Sequence, residues 1–160
     1  MNDATYTHAE LAELDSIARE IDIDAPAQHV WDLIARPGWF INDGKVEAEP
    51  DLRYEDDVAV VTDPTGEFRF RTVKLDKPRY AAFRWLGTPF RDVSEGTLVE
   101  FWVQERGDGG VTLRVLESGF SSLSEDPAVW LKEREGNDQG WTQELAAAKT
   151  FVESRADGGS

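Results

Sequence analysis

From Lys45 to Ser118 the chain is cut at short intervals by turn residues, and the pieces between them alternate apolar and polar side chains. No other feature constrains the fold as much. The pattern reads as a meander of short antiparallel strands, each with one apolar face. Strands are expected over 45–49, 57–62, 67–75, 80–86, 97–105 and 111–118. Asp63-Pro64-Thr65-Gly66 and Gly107-Asp108-Gly109-Gly110 supply tight turns, and Lys77-Pro78 breaks the run between them. Ile17, Arg19, Ile21 and Ile23 alternate in the same way and add a strand over 16–24. A sheet with one apolar face must be covered. The only element long enough to cover it is the C-terminal helix, where Trp141, Leu145, Ala148 and Val152 form one stripe.

The remaining helices are marked by their ends. Thr7-His8-Ala9-Glu10 has capping-box spacing ahead of Leu11 and Leu14, which predicts a short helix over 7–14. Asp24 or Ala25 is expected to cap a second helix, with Pro26 in its first turn and Val30, Trp31, Leu33 and Ile34 on its apolar face. Pro37-Gly38 should end it. Asp126-Pro127 opens a short helix that Gly136 should stop, and Asn137 or Asp138 opens the long one to about Glu153. The expected class is α+β, with about seven antiparallel strands curved around the last helix. Residues 1–15 are expected as an N-terminal extension, 16–155 as one domain and 156–160 as a flexible tail.

Composition removes several function classes. Seventeen Lys and Arg against 32 Asp and Glu give a net charge of −15, which opposes phosphate-backbone binding and adhesion to anionic lipid. The chain has no cysteine, so disulfides and thiolate nucleophiles are ruled out. Its two histidines, His8 and His29, are too few for an imidazole-based metal site, so neither metal nor cofactor is expected. No Gly-x-Ser-x-Gly elbow, P-loop, dinucleotide fingerprint or calcium loop is present. No apolar run is long enough to span a bilayer, and the first residues lack the pattern of a signal peptide, so a cytoplasmic location is expected.

Four segments, taken in order, carry a family likeness. They are Ile21 to Trp31; Gly66 to Val73 with Asp76-Lys77-Pro78-Arg79 and Phe83-Arg84-Trp85; Thr112 to Phe120; and Gly140-Trp141 with Leu145. Together they resemble the homologues of the activator of the heat-shock-protein-90 ATPase, within the START-like (SRPBCC) superfamily, over about residues 16–155. The resemblance implies a helix-grip fold, with a cavity between a curved sheet and a long helix. It implies no catalytic set, because the superfamily joins lipid and hormone binders, polyketide cyclases and co-chaperone domains without a shared catalytic motif.

If Val73, Trp85, Phe101 and Val115 face the terminal helix, strand alternation brings Arg69, Arg71, Phe83 and Glu117 to the same side. The expected cavity is then lined by Trp39, Phe83, Trp85, Phe101, Trp141 and Leu145, with Arg69, Arg71 and Glu117 as its polar groups. Those same aromatics could equally be core filling, and a one-residue slip of register would turn the arginines outward. Most acids fall in turns and on helix faces and act as a solubility coat, which leaves the inward charges as the informative ones. Glu117 is the candidate proton-transfer group, since a carboxyl beside apolar surface has its pKa raised. The reading favoured is binding of a small, mostly hydrophobic molecule. The alternatives are a cyclase- or hydrolase-like enzyme using the same cavity, or a co-chaperone-like interaction domain. Against the last stands the absence of the additional domains that the eukaryotic activators use.

Overall fold

The computed structural model describes residues 6–42, 44–86 and 96–158. The chain runs α1 (His8–Glu13), β1 (Ser16–Ile23), α2 (Ala27–Ile34), β2 (Asp51–Glu55), β3 (Val58–Asp63), β4 (Gly66–Asp76), β5 (Tyr80–Trp85), β6 (Leu98–Glu105), β7 (Val111–Ser118), a 3-10 turn (Phe120–Leu123) and α3 (Pro127–Gly158). The seven strands form one antiparallel sheet in the order β1-β7-β6-β5-β4-β3-β2. The meander from β3 to β7 is the expected one, and β1 pairs with β7 at its far edge. No helix among the described residues is long and apolar enough to cross a membrane.

α1 begins with the expected capping box. Thr7 Oγ1 accepts from Glu10 N at 3.0 Å, and Glu10 Oε1 accepts from Thr7 N at 2.8 Å. Two otherwise orphaned amide donors are thereby satisfied. α2 buries Val30, Trp31, Leu33 and Ile34 on one face, as its apolar spacing requires. Its N-cap is Pro26, not Asp24 or Ala25, and no side chain caps it. Asp24 is engaged elsewhere, accepting from Arg106 Nη2 at 2.9 Å. The helix ends at Ile34, ahead of Gly38, where the chain turns with φ +68°. A Cβ at Gly38 would lie 2.7 Å from Val61 and 2.8 Å from Phe70, so this turn needs glycine for both dihedral and space.

Three further expectations need correction. Residues 45–49 form no strand: Val46 is buried, but the segment is irregular and the edge strand is β2, which starts six residues later. The second is the helix break at Gly136. α3 is continuous from Pro127 to Gly158. A helical glycine costs about 1 kcal/mol relative to alanine, whereas burying a Leu or Val side chain contributes ~1.5–3 kcal/mol. Trp130 before the glycine and Trp141, Leu145, Ala148 and Val152 after it are all buried. Polar contacts also flank it: Arg134 donates to the Ser16 carbonyl at 3.0 and 3.2 Å, and Asp138 pairs with Arg19. These ties hold both sides of Gly136 against β1, so the helix does not break.

The third correction concerns β4. Directly opposed residues of antiparallel strands share a face. Phe70 opposes Trp85 and Thr72 opposes Phe83, while Arg69 opposes Val60 and Arg71 opposes Arg84. Phe70 is therefore inside, and Arg69 and Arg71 are on the outer face. Val73 is exposed. The cause is an irregularity between Thr72 and Lys74, after which Leu75 opposes Ala81. One extra residue inverts the alternation; Val73 keeps the outward parity of Arg69 and Arg71, so taking Val73 as inward puts the arginines on the wrong side.

Candidate functional site

The inner face of the sheet is used in two ways. Over its middle, α3 and the segment after α2 fill it with aromatic rings. Trp141 lies 4.8 Å from Phe40 and 5.8 Å from Phe101, centroid to centroid, and Trp39 lies 5.5 Å from Phe101. Phe83, Phe101 and Phe70 expose nothing to water. Toward the end of the sheet where β5 stops and β6 starts, the filling ceases. There a cavity of about 1020 Å³ opens. Its apolar wall includes Phe40, Val61, Phe68, Trp85, Leu86 and Leu123.

Glu117, near the end of β7, stands where these two parts meet. Its alternation with Val115 turns it inward, and it opposes Ile17 on one side and Val99 on the other. It is fully buried and belongs to the cavity wall. Three neutral groups donate to its carboxylate. Thr97 Oγ1 donates to Oε2 at 2.5 Å, Trp141 Nε1 to Oε1 at 2.8 Å, and Asn137 Nδ2 to the two oxygens at 3.0 and 3.2 Å. Burial pushes the Glu117 pKa up from the ordinary carboxyl range. The hydrogen bonds from Thr97, Trp141 and Asn137 pull it back, and the charge of Glu133 adds to the rise.

Each partner is placed by its own element. Thr97 precedes β6 and follows Gly96, whose amide donates to the Trp85 carbonyl at 2.7 Å. A Cβ at Gly96 would lie 2.2 Å from that carbonyl oxygen, so only glycine brings Thr97 this close to the end of β5. Asn137 and Trp141 are one turn apart on α3, so both point down one side of the helix at Glu117.

The nine expected cavity residues separate into three groups. Trp85 and Glu117 line the cavity. Trp39, Phe83, Phe101, Trp141 and Leu145 are buried core, and of these Trp141 reaches the site through its indole N–H. Arg69 and Arg71 lie outside: Arg69 pairs with Glu67 and Glu55, and Arg71 with Asp57. Sequence reading missed Thr97 and Asn137. Thr97 looks like the first residue of a strand, and Asn137 like a helix cap. A signal for Asn137 was nonetheless present: Glu133, Asn137, Trp141 and Leu145 recur every fourth residue, which puts them on the stripe that faces the sheet.

No protein-family model matches the chain, and no curated protein matches it. Solved structures do. Protein MLL2253 from Mesorhizobium loti superposes with a TM-score of 0.65 at 13% identity, covering 87% of this chain and 97% of that one. DynU16, a protein of the dynemicin biosynthetic locus, gives 0.63 at 18% identity, over 89% of this chain and 48% of that one. The Aha1 dimer from Colwellia psychrerythraea gives 0.61 at 16% identity, over 86% and 96%. At such identities the likeness speaks for architecture alone. Taken with the sheet order and the long helix packed on its inner face, it establishes that this chain has the helix-grip fold.

Proposed function

We propose that the chain is a binding module for a small, mostly hydrophobic molecule, held in the cavity between the sheet and α3. The observation that carries this reading is the cavity itself: about 1020 Å³ with aromatic and aliphatic walls, and a buried, hydrogen-bonded carboxylate where it meets the packed core. An apolar pocket with a few convergent polar groups is the usual form of a small-molecule site. Nucleic acid and anionic membrane surfaces are poor partners for a chain of net charge −15. Cytoplasmic residence fits the absence of cysteine. The likeness to the Hsp90-activator homologues is, on this reading, one of scaffold, and no chaperone partner is required. The test is native mass spectrometry together with a thermal-shift screen of hydrophobic metabolites and acyl lipids. A saturable one-to-one adduct that raises the melting temperature supports the reading. No adduct, with a crystal structure in which side chains fill the cavity, overturns it.

A second reading uses the same cavity for proton transfer, as in a cyclase or hydrolase. It is favoured by the rise that burial imposes on the Glu117 pKa. Under it, Glu117→Gln abolishes turnover of a bound substrate while leaving its affinity measurable. Unchanged turnover removes this mechanism.

A further inference from the structure

The cavity also has a sign. Resting on the binding reading above, we propose that its ligand is an organic cation: an ammonium group that donates hydrogen bonds, carried on an apolar body. Two independent features point there.

The first is the direction of the hydrogen bonds at Glu117. Thr97, Asn137 and Trp141 all turn their donors toward the carboxylate. Thr97 Oγ1 gives up its proton there and keeps its lone pairs. Asn137 commits Nδ2 and keeps Oδ1. Thr97 and Asn137 both line the cavity. The polar end therefore offers acceptors, which suit a donor and repel a carboxylate or phosphate.

The second is uncompensated charge. Glu117 is completely buried, and among the described residues its hydrogen-bond partners are all neutral, with no Arg, Lys or His. A buried charge is costly unless paired, which is why burial raises the Glu117 pKa, and a ligand cation at Thr97 and Asn137 would supply the missing pair and hold the carboxyl ionised. The described lining extends the same sign outward. Glu47, Glu49, Asp51 and Asp63 belong to it, and no described Lys, Arg or His does. Arg53, Arg69 and Arg71 are committed to ion pairs on the sheet, and Arg106 and Lys149 to ion pairs elsewhere on the surface. The walls suit the same class. Phe40 and Trp85 stand 5.3 Å apart at the cavity, and aromatic faces attract cations. The apolar lining is too extensive for a bare metal ion, and the described residues hold no cluster of three or more metal-ligating side chains.

The test is a matched series by titration calorimetry and tryptophan fluorescence below micelle formation: n-decylammonium, n-decyltrimethylammonium, n-decanol and n-decanoate. The expected result is one saturable site, with decylammonium at least about tenfold tighter than decanoate, or about 1.4 kcal/mol. Decyltrimethylammonium should fall between them, having the charge without the N–H donors. Glu117→Gln should shrink the ratio of decylammonium to decanol affinity. Should that variant fail to fold, Glu49→Gln with Asp51→Asn at the rim should lower the preference by a smaller factor and make it less dependent on salt. Decanoate or decanol binding as tightly as the ammonium overturns the cation proposal and leaves the cavity reading standing. Ammonium adsorption at several sites, equal in the variants, also overturns the proposal. Failure of all four probes to bind overturns both.

Discussion

One sheet face serves two different ends. At the packed end Phe101 exposes nothing to water and touches Trp39 and Trp141. At the open end Trp85 comes from the neighbouring strand, is only partly buried, and borders a cavity. Both residues are inward aromatics on adjacent strands, indistinguishable by alternation. What separates them is what stands opposite. α3 and Trp39 cover one, whereas the other packs against Phe40 and Phe70 and is left partly exposed toward the cavity. Filled surface holds the fold together, and unfilled surface leaves room for a ligand. Glu117 lies on the line between them.

That contrast can be broken experimentally, most sharply at its packed end. Phe101→Ala should destabilise by ~3–5 kcal/mol, as truncation of a fully buried aromatic does, measured by denaturant unfolding. Trp85→Ala should cost visibly less, and equal costs would mean that the two ends do not differ. Next comes the junction. Glu117→Ala leaves the buried donors of Thr97 and Trp141 without their acceptor, and each buried unsatisfied group costs ~1–3 kcal/mol. Glu117→Gln tests the charge alone. The folded-state pKa of Glu117 is raised, so the folded chain holds this proton where the unfolded chain has lost it. Its contribution is therefore full below the ordinary carboxyl pKa and is lost as pH rises toward the raised value. The melting temperature of Glu117→Gln relative to the parent should climb across that window. A difference independent of pH would show that burial does not perturb this carboxyl.

Two smaller effects test the elements that frame the contrast. Gly136 is exposed and helical, and a Cβ there would touch nothing within 4 Å. Gly136→Ala should stabilise by up to about 1 kcal/mol. A loss of stability would mean that the helix breaks there after all, and with it the alignment of Asn137 and Trp141. On the outer face, Arg69→Ala should change stability by only ~0–1 kcal/mol, less at high salt, because its ion pairs are partly exposed. Loss of ligand binding in that variant would put the arginine back in the cavity.

The sequence was most legible where patterns are local. Alternation located β1 and β3 to β7, capping-box spacing located α1, and the stripe through Trp141, Leu145, Ala148 and Val152 marked the covering helix. Glu117 was legible because it continues the parity of Val111, Leu113 and Val115 without interruption. The arginines were misplaced because a bulge leaves no mark in composition, yet it inverts every side chain beyond it. β2 was missed because its residues are largely exposed and so lack a buried face to read.

The sequence by itself therefore determined the order of elements, the helix that the sheet would grip, and one inward carboxylate. Those depend on period and spacing, which are properties of neighbours along the chain. Only the tertiary structure decided which aromatics are core and which line a cavity, because that depends on what the opposite element leaves uncovered. It also decided that Gly136 stays helical, since contacts from β1 outweigh one glycine. Finally, it decided the polarity of the site. Thr97 and Asn137 stand 20 residues from Glu117 on either side, and only folding turns their donors toward it.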